Sequence, residues 1–393
     1  MTKKISKRDF VKYSLYGLGG LAAGSTCIKL LSNNLNQLSD KASMDFPAID
    51  GLELTKAAPL KEAYYYSQHA RGIRCDLCPN ICILKDNEES MCRTHLCKDD
   101  KLYTLAYGNP CSMNVDPIEK KPLFHFLPQS RAFSVAIAGC NLACLNCQNW
   151  QISQVSPRDT RNYDLMPEKL IASAKKSKCE SIAYTYSEPI VFYEYTYESS
   201  KLARQAGIKN VMVSAGFINE EPLRKLAKYI DAANIDLKSF DNKIYLKLNG
   251  ATLEPILKTL KILNEENVWL EITNLIVPGW TDNMDMIKKM CAWLCENGLS
   301  ENPLHFSRFH PMYKLKQLPA TPVSTLEKAR NIAKAEGLKY VYIGNVPGTK
   351  AENTYCPKCK KLLVERKGYA ITQNHILNNS CKYCKEKIAG VWN

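Results

Sequence analysis

The chain has 393 residues, 45% hydrophobic and 23% charged; this is the composition of an ordinary soluble globular protein with room for one large catalytic domain and small appendages. Its formal net charge of +14 comes from lysines spread along the whole length, with no recognition-helix or aromatic RNA-binding motif beside them, so we read it as a solvated surface and expect no nucleic-acid partner. The 17 cysteines sit in too long a chain for a small disulfide scaffold, and most fall in sets at two- and three-residue gaps, the spacing of metal ligands.

Residues 1–45 read as a signal and linker. Ser6-Lys7-Arg8-Asp9-Phe10-Val11-Lys12 precedes a weakly apolar stretch, Tyr13 to Leu31, interrupted by Gly17, Gly19, Gly20 and Gly24 and carrying Lys29. The pattern resembles a twin-arginine export signal with lysine in place of the first arginine, which implies a periplasmic or membrane-associated protein. The competing reading is a basic tail on a cytoplasmic protein. The stretch is too rich in glycine to be read as a spanning helix.

Three blocks follow. Residues 62–130 carry Cys75, Cys78, Cys82 and Cys92 with few periodic apolar runs, and read as a loop-rich, metal-stapled segment. Residues 131–350 alternate short apolar runs with amphipathic stretches, the pattern of parallel α/β architecture. The apolar runs predict strands at Phe133–Gly139, Ser181–Tyr186, Asn210–Ala215, Ala233–Leu237, Val268–Val277 and Leu304–Phe309, with a further one at Tyr340–Gly344. Between them, helices are expected at Pro167–Ser177, Leu202–Gly207, Glu221–Ile230, Leu253–Asn264 and Met284–Asn297. Six β/α units fit a partial barrel better than a closed eight-stranded one. Residues 351–393 form a short tail with Cys356, Cys359, Cys381 and Cys384.

The segment that carries chemistry is Gly139-Cys140-Asn141-Leu142-Ala143-Cys144-Leu145-Asn146-Cys147-Gln148-Asn149-Trp150. Three cysteines at CxxxCxxC directly follow the first strand, where one loop can wrap three thiolates around three irons of a cubane cluster. The fourth iron then lacks a protein ligand, and an open coordination site is what separates a reactive metal centre from a closed structural one. A zinc ion borrowing a fourth ligand, or three buried thiols, are the rival readings of the same residues. The preceding strand and the β/α units that follow favour the cluster.

With its context, this triad resembles the radical S-adenosylmethionine (SAM) superfamily, near the activating enzymes of glycyl radical enzymes such as pyruvate formate-lyase. It resembles still more closely the radical SAM component of the AmmeMemoRadiSam system. The likeness runs from about residue 65 onward. It rests on Cys75-x-x-Cys78-Pro79-Asn80-x-Cys82, Asp116-Pro117-Ile118-Glu119-Lys120-Lys121-Pro122-Leu123, Ala183-Tyr184-Thr185-Tyr186-Ser187-Glu188-Pro189, Asn234-Ile235-Asp236-Leu237-Lys238, Arg308-Phe309-His310-Pro311 and Tyr340-Val341-Tyr342-Ile343-Gly344-Asn345. The resemblance implies a partial (β/α)6 radical SAM barrel and a [4Fe–4S] cluster on Cys140, Cys144 and Cys147. It implies SAM bound to the unique iron and cleaved by one electron to methionine and a 5′-deoxyadenosyl radical, which abstracts hydrogen from a substrate. It also implies a low-potential electron donor and Memo-like and AMMECR-type protein partners. Activation of a glycyl radical enzyme is a second enzymatic reading, and a non-catalytic metal-binding scaffold a third.

Carried over residue by residue, the resemblance places Glu188 against the SAM amino group, as a charge-assisted acceptor. Ser214, Asp236 and Lys238 fall at the ends of the third and fourth strands, the end where barrel sites assemble. His310 follows the sixth strand, where related activating enzymes use a histidine on the SAM ribose. The bland alternatives are a helix-start acid for Glu188, a structural ion pair for Asp236 and Lys238, and a structural histidine. Two departures stand out: Asn146 where the superfamily has an aromatic residue, and Ser187 where the close family has asparagine.

Two CxxC knuckles, Cys356/Cys359 and Cys381/Cys384, can close a tetrahedral four-thiolate site, so the tail reads as a structural zinc ribbon, with rubredoxin-like iron as the rival. Cys75, Cys78, Cys82 and Cys92 hold either zinc or an auxiliary iron–sulfur cluster, with Cys97 and Cys111 as competing ligands. Cys97, Cys111, Cys179, Cys291 and Cys295 are otherwise read as structural thiols.

Overall fold

The computed structural model describes residues 53–55 and 60–392, and the export-signal reading lies outside them. Among the described residues, no helix is long and apolar enough to cross a membrane. The centre of the fold is one eight-stranded sheet in which neighbours in space are also neighbours in sequence: β1 (Ser112–Pro117), β2 (Arg131–Ala136), β3 (Ser181–Tyr184), β4 (Lys209–Ser214), β5 (Ala232–Asp236), β6 (Trp269–Ile276), β7 (Leu304–Arg308) and β8 (Val341–Gly344). Strand β1 is antiparallel to β2, and every later pairing is parallel. Parallel neighbours need crossovers, supplied by α1 (Pro167–Lys176), α2 (Tyr193–Gln205), α3 (Glu220–Ala227), α4 (Leu253–Glu265), α5 (Met284–Glu296) and α6 (Val323–Ala335). The sheet is open, with β1 and β8 as its edges.

Both faces of the strands are buried, which is why they read as apolar runs. Phe133, Val135, Ile182 and Tyr184 pack against Leu170, Ile171, Ala174 and Ala203 of the helical layer. On the opposite face Ala132, Ala183, Val211 and Ala232 are small enough to admit Ile118, Leu123 and Phe126. The segment after β1 therefore folds under the sheet and fills it.

Three features differ from the sequence expectation. Helix α2 begins at Tyr193, because its buried positions include Thr196, Ser199 and Ser200 and hide the apolar period. Helix α6 was not foreseen: its core stripe is Leu326, Ala329 and Ala333 among lysines and polar residues. Finally, the 62–130 block holds more strand than expected. It forms two small three-stranded sheets, Tyr66–His69 with Gly72–Cys75 and Ile83–Leu84, and Lys61–Glu62 with Lys101–Thr104 and His95–Lys98, and it also supplies β1.

The tail builds a three-stranded antiparallel sheet from Thr354–Tyr355, Leu362–Lys367 and Ala370–Asn374. Cys356, Leu363, Val364, Ile376, Cys381 and Ile388 share a core with Phe124, Tyr340 and Tyr342. His125 sits in the seam between tail and sheet: one ring nitrogen lies 2.7 Å from the Ala389 carbonyl and the other 2.5 Å from the Tyr342 hydroxyl.

Candidate active site

The C-terminal ends of the parallel strands carry the site. Gly139, just beyond β2, has a φ of 112°, open to glycine and strained for other residues. The chain then turns into the cysteine loop, where Cys140, Cys144 and Cys147 are all half-buried. The loop is held from below by a π-turn, Tyr245–Asn249. Ala143 N donates to Asn249 O at 2.8 Å and Leu145 N to Leu248 O at 2.9 Å. Asn249 Nδ2 donates to Cys144 Sγ at 3.2 Å, and Leu142 N to Cys140 Sγ at 3.4 Å. Gly250 closes the π-turn at φ 68°, where a Cβ would stand 3.2 Å from that of Ala143. The loop is thus fixed by long-range backbone clips.

Burial pushes the Cys140 thiol well above its ordinary pKa. Burial also raises Cys144 and Cys147, with Lys238 acting against the rise at both. Buried thiols of this kind become good ligands when a metal supplies the positive charge. Around them the side-chain oxygens of Asn141, Asn146 and Asn249 are buried without a hydrogen-bond partner, orphans that a bound polar group would satisfy. Donor set and orphans together fit an iron–sulfur cluster with a polar cosubstrate.

Glu188 is buried and already engaged. Its Oε1 accepts from Ser214 Oγ at 2.6 Å and from Ile190 N at 3.3 Å, and its Oε2 accepts from Ala215 N at 2.8 Å. A carboxylate has about four acceptor positions, so one remains for a ligand. Burial raises its pKa despite these donors. The helix-start alternative is therefore part of the geometry, since the Ile190 bond is a cap. Ser214 does not project freely: its hydroxyl donates to Glu188 and accepts from Gly216 N at 2.9 Å, which makes it a positioning residue.

Asp236 and Lys238 form an ion pair at 2.6 Å, partly open to solvent. Burial works against the Lys238 charge, but Asp236 outweighs it, with the Cys144 sulfur acting in the same direction, and the ammonium stays charged. His310 stands two residues past β7, exposed. Its loop does reach the triad, through Lys314 N to Leu145 O at 3.0 Å and a Trp150–Tyr313 stack at 5.3 Å. His310 itself makes no hydrogen bond with the described residues.

Sequence reasoning missed a neighbouring cluster. Asp116 Oδ2 accepts from Lys121 Nζ at 2.6 Å, from Ser134 Oγ at 2.7 Å and from the Tyr186 hydroxyl. Tyr186 has φ 64°, an unusual conformation for a bulky residue. It is pinned there by Asn149 Nδ2 on its carbonyl at 2.6 Å and by Ser187 Oγ on the Ile137 carbonyl at 2.6 Å. The strings containing Asp116 and Tyr186 were part of the resemblance, but nothing in them assigns the pairing. Burial opposes both charges; Lys121 and Lys120 outweigh it at Asp116, whose pKa is lowered, whereas Lys121 is brought down to about 8.

Residues 134–294 match the radical SAM superfamily, a span that holds the triad, Glu188, Ser214, Asp236 and Lys238. The chain belongs to the radical SAM superfamily. Membership makes it an enzyme, a radical SAM oxidoreductase, and implies a [4Fe–4S] cluster and SAM. It is 46% identical over 332 residues to an uncharacterized protein, MJ0808, of Methanocaldococcus jannaschii, covering 84% of this chain and 99% of that one. It is 23% identical over 226 residues to pyruvate formate-lyase 1-activating enzyme of Escherichia coli strain K12, covering 53% and 91%. The crystal structure of Streptococcus suis SuiB bound to S-adenosylmethionine aligns with TM-score 0.45 and 16% identity, covering 61% of this chain and 56% of that chain.

The tail thiols form a second site. Cys356, Cys359, Cys381 and Cys384 bring their sulfurs within 4.8 Å of one another, with Cys356–Cys384 at 3.6 Å and Cys359–Cys381 at 3.7 Å. A tetrahedral ion with Zn–S of about 2.3 Å sets its sulfurs about 3.8 Å apart, so this group can take a metal ion of that size. All five cysteines read as structural thiols are free, with Cys97, Cys179 and Cys291 buried and Cys111 and Cys295 half-buried.

Proposed function

We propose that this enzyme cleaves SAM reductively at a [4Fe–4S] cluster held by Cys140, Cys144 and Cys147, within a partial barrel formed by the open sheet. Such a cluster supplies one electron to SAM, releasing methionine and a 5′-deoxyadenosyl radical that takes a hydrogen atom from the substrate. The observation that carries the reading is the loop itself: three half-buried thiols and no fourth cysteine in it, clipped by Asn249 at the mouth of the parallel sheet.

The chain's own residues divide the remaining work. Glu188 offers its last acceptor position to the SAM ammonium, with Ser214 fixing the carboxylate. Lys238, paired with Asp236, supplies positive charge beside Cys144 and a donor for the SAM carboxylate. The substrate is one shared with Memo-like and AMMECR-type proteins. Zinc in the four tail thiolates is structural: the ribbon closes the underside of the sheet, away from the strand ends that carry the triad.

The test is anaerobic incubation of the reconstituted enzyme with SAM, a low-potential reductant and purified Memo-like and AMMECR-type proteins. The reading expects 5′-deoxyadenosine to form, and its yield to rise with a mass change in the mixture when those partners are present. No 5′-deoxyadenosine from cluster-replete enzyme would sink it.

A further inference from the structure

Beyond the triad, Cys75, Cys78, Cys82 and Cys92 line one small pocket, together with His95 and Asn141. Three of the four come from a hairpin, in which Gly72–Cys75 pairs with Ile83–Leu84 and the intervening loop presents Cys78 and Cys82. Cys92 arrives from the adjoining turn. Cys75, Cys78 and Cys92 are buried, and Cys82 is half-buried beside the exposed Ile81 and Met91.

The spacing of these sulfurs differs from that in the tail. Among the described residues, the tail quartet is the only group of thiol, imidazole or carboxylate ligands drawn within 4.8 Å of one another. It also shows direct sulfur–sulfur contacts, and no pair among Cys75, Cys78, Cys82 and Cys92 does. Four ligands of a single ion must crowd together at the edges of one tetrahedron. In a cubane each thiolate binds its own iron at a separate corner, so the sulfurs stand apart around a void. The N-terminal quartet is not drawn together like the tail, and its four thiols line one common pocket instead. Groups able to donate also converge on Cys92, whose sulfur lies 3.0 Å from Ser90 Oγ, 3.0 Å from Thr94 Oγ1 and 3.6 Å from His95 Nδ1. Hydrogen bonds to a thiolate are one of the means by which proteins set a cluster's potential.

We infer that Cys75, Cys78, Cys82 and Cys92 hold a second [4Fe–4S] cluster, fully ligated by thiolates and packed against the triad loop. The contact between the two is direct. Asn141, the residue after Cys140, lines the pocket, and its carbonyl accepts from Asn80 Nδ2 at 2.8 Å. Gly139, the residue before Cys140, leaves no room for a Cβ, which would fall 2.3 Å from Thr94 Cγ2 and 2.8 Å from Cys92 O. One turn of chain thus separates the two sets. With all four irons ligated the second cluster has no open position for SAM or substrate. The inference does not depend on what the triad does.

Metal analysis of anaerobically purified full-length protein tests it, using wild type, a Cys140→Ala/Cys144→Ala/Cys147→Ala variant and a Cys78→Ser/Cys82→Ser variant. The wild type should carry about eight irons and eight sulfides per chain, and the triad variant about four of each with the EPR signal of a reduced [4Fe–4S] cluster. The Cys78→Ser/Cys82→Ser variant should lose half of the wild-type iron. A triad variant without iron, in protein holding about two zinc ions per chain, overturns the inference and makes the N-terminal quartet a zinc site. Wild type with about four irons, all retained in the triad variant, upholds the second cluster and instead sinks the function proposed for the triad. Should the serine variant fail to fold, the counts in wild type and the triad variant still decide.

Discussion

Asn249 holds the Cys144 loop at two points: its side-chain amide donates to the Cys144 sulfur at 3.2 Å, and its backbone carbonyl accepts from the amide of Ala143, one residue before. A hydrogen bond to a cluster thiolate stabilises the reduced, more negative state. Asn249→Leu should therefore keep its iron and shift the central cluster's midpoint potential downward. One such bond is worth about 1 kcal/mol, or roughly 40 mV for a one-electron couple. An EPR-monitored redox titration reads the shift, and an unchanged potential would remove Asn249 from the tuning of the centre.

Cys144→Ala should abolish 5′-deoxyadenosine formation from SAM while leaving the tail's metal in place, because the two sites share no ligand or loop. Chromatographic assay of 5′-deoxyadenosine with parallel zinc analysis checks both halves. Reductive SAM cleavage surviving in this variant would end the assignment of the triad.

Glu188→Gln and Lys238→Ala should each weaken SAM binding by about 1.5–3 kcal/mol, roughly 10- to 150-fold in affinity, with iron content unchanged. Ser214→Ala should have a smaller effect in the same direction, since Ser214 acts through Glu188. Equilibrium binding of SAM to the reconstituted enzyme measures all three. If the Ser214 variant proves the most damaging, Ser214 contacts SAM itself.

In the tail, Cys359→Ser should lower thermal stability and zinc content together and leave the central cluster's EPR signal intact. The four sulfurs lie close enough to hold one ion, and the strands around them share their core with Phe124, Tyr340 and Tyr342. A variant that stays stable but accepts no electrons would make the ribbon an electron relay carrying iron.

The His125 seam predicts acid sensitivity. Burial brings this histidine from 6.5 down to about 4, so the folded protein keeps it neutral where the unfolded chain is already protonated. Its contribution is fully present above pH 6.5 and is lost as pH falls toward about 4, up to about 3 kcal/mol in all. Denaturant unfolding at pH 7 and pH 4.5 should show a larger loss for wild type than for His125→Asn. Equal losses would locate the acid sensitivity elsewhere.

What the sequence determined by itself is local chemistry. Cys140, Cys144 and Cys147 lie within one loop, and the tail knuckles are pairs three residues apart, so ligand spacing survives in the one-dimensional record. The seven parallel strands were legible because each is largely buried on both faces and so carries a run of mostly apolar residues. Tertiary structure decided the rest. Asn249 lies 105 residues from Cys144, and the Asp116–Tyr186 bond spans 70; no periodicity links such pairs. The start of helix α2, before Leu202, escaped notice because its buried face is partly hydroxyl-bearing, with Ser200 returning a hydrogen bond to Thr196 O. Whether four thiols crowd around one ion or stand apart around a void is likewise invisible in their spacing. That distinction depends on how the backbones of separate loops are held together in space, as where Gly139 packs against Thr94 and the Cys92 carbonyl.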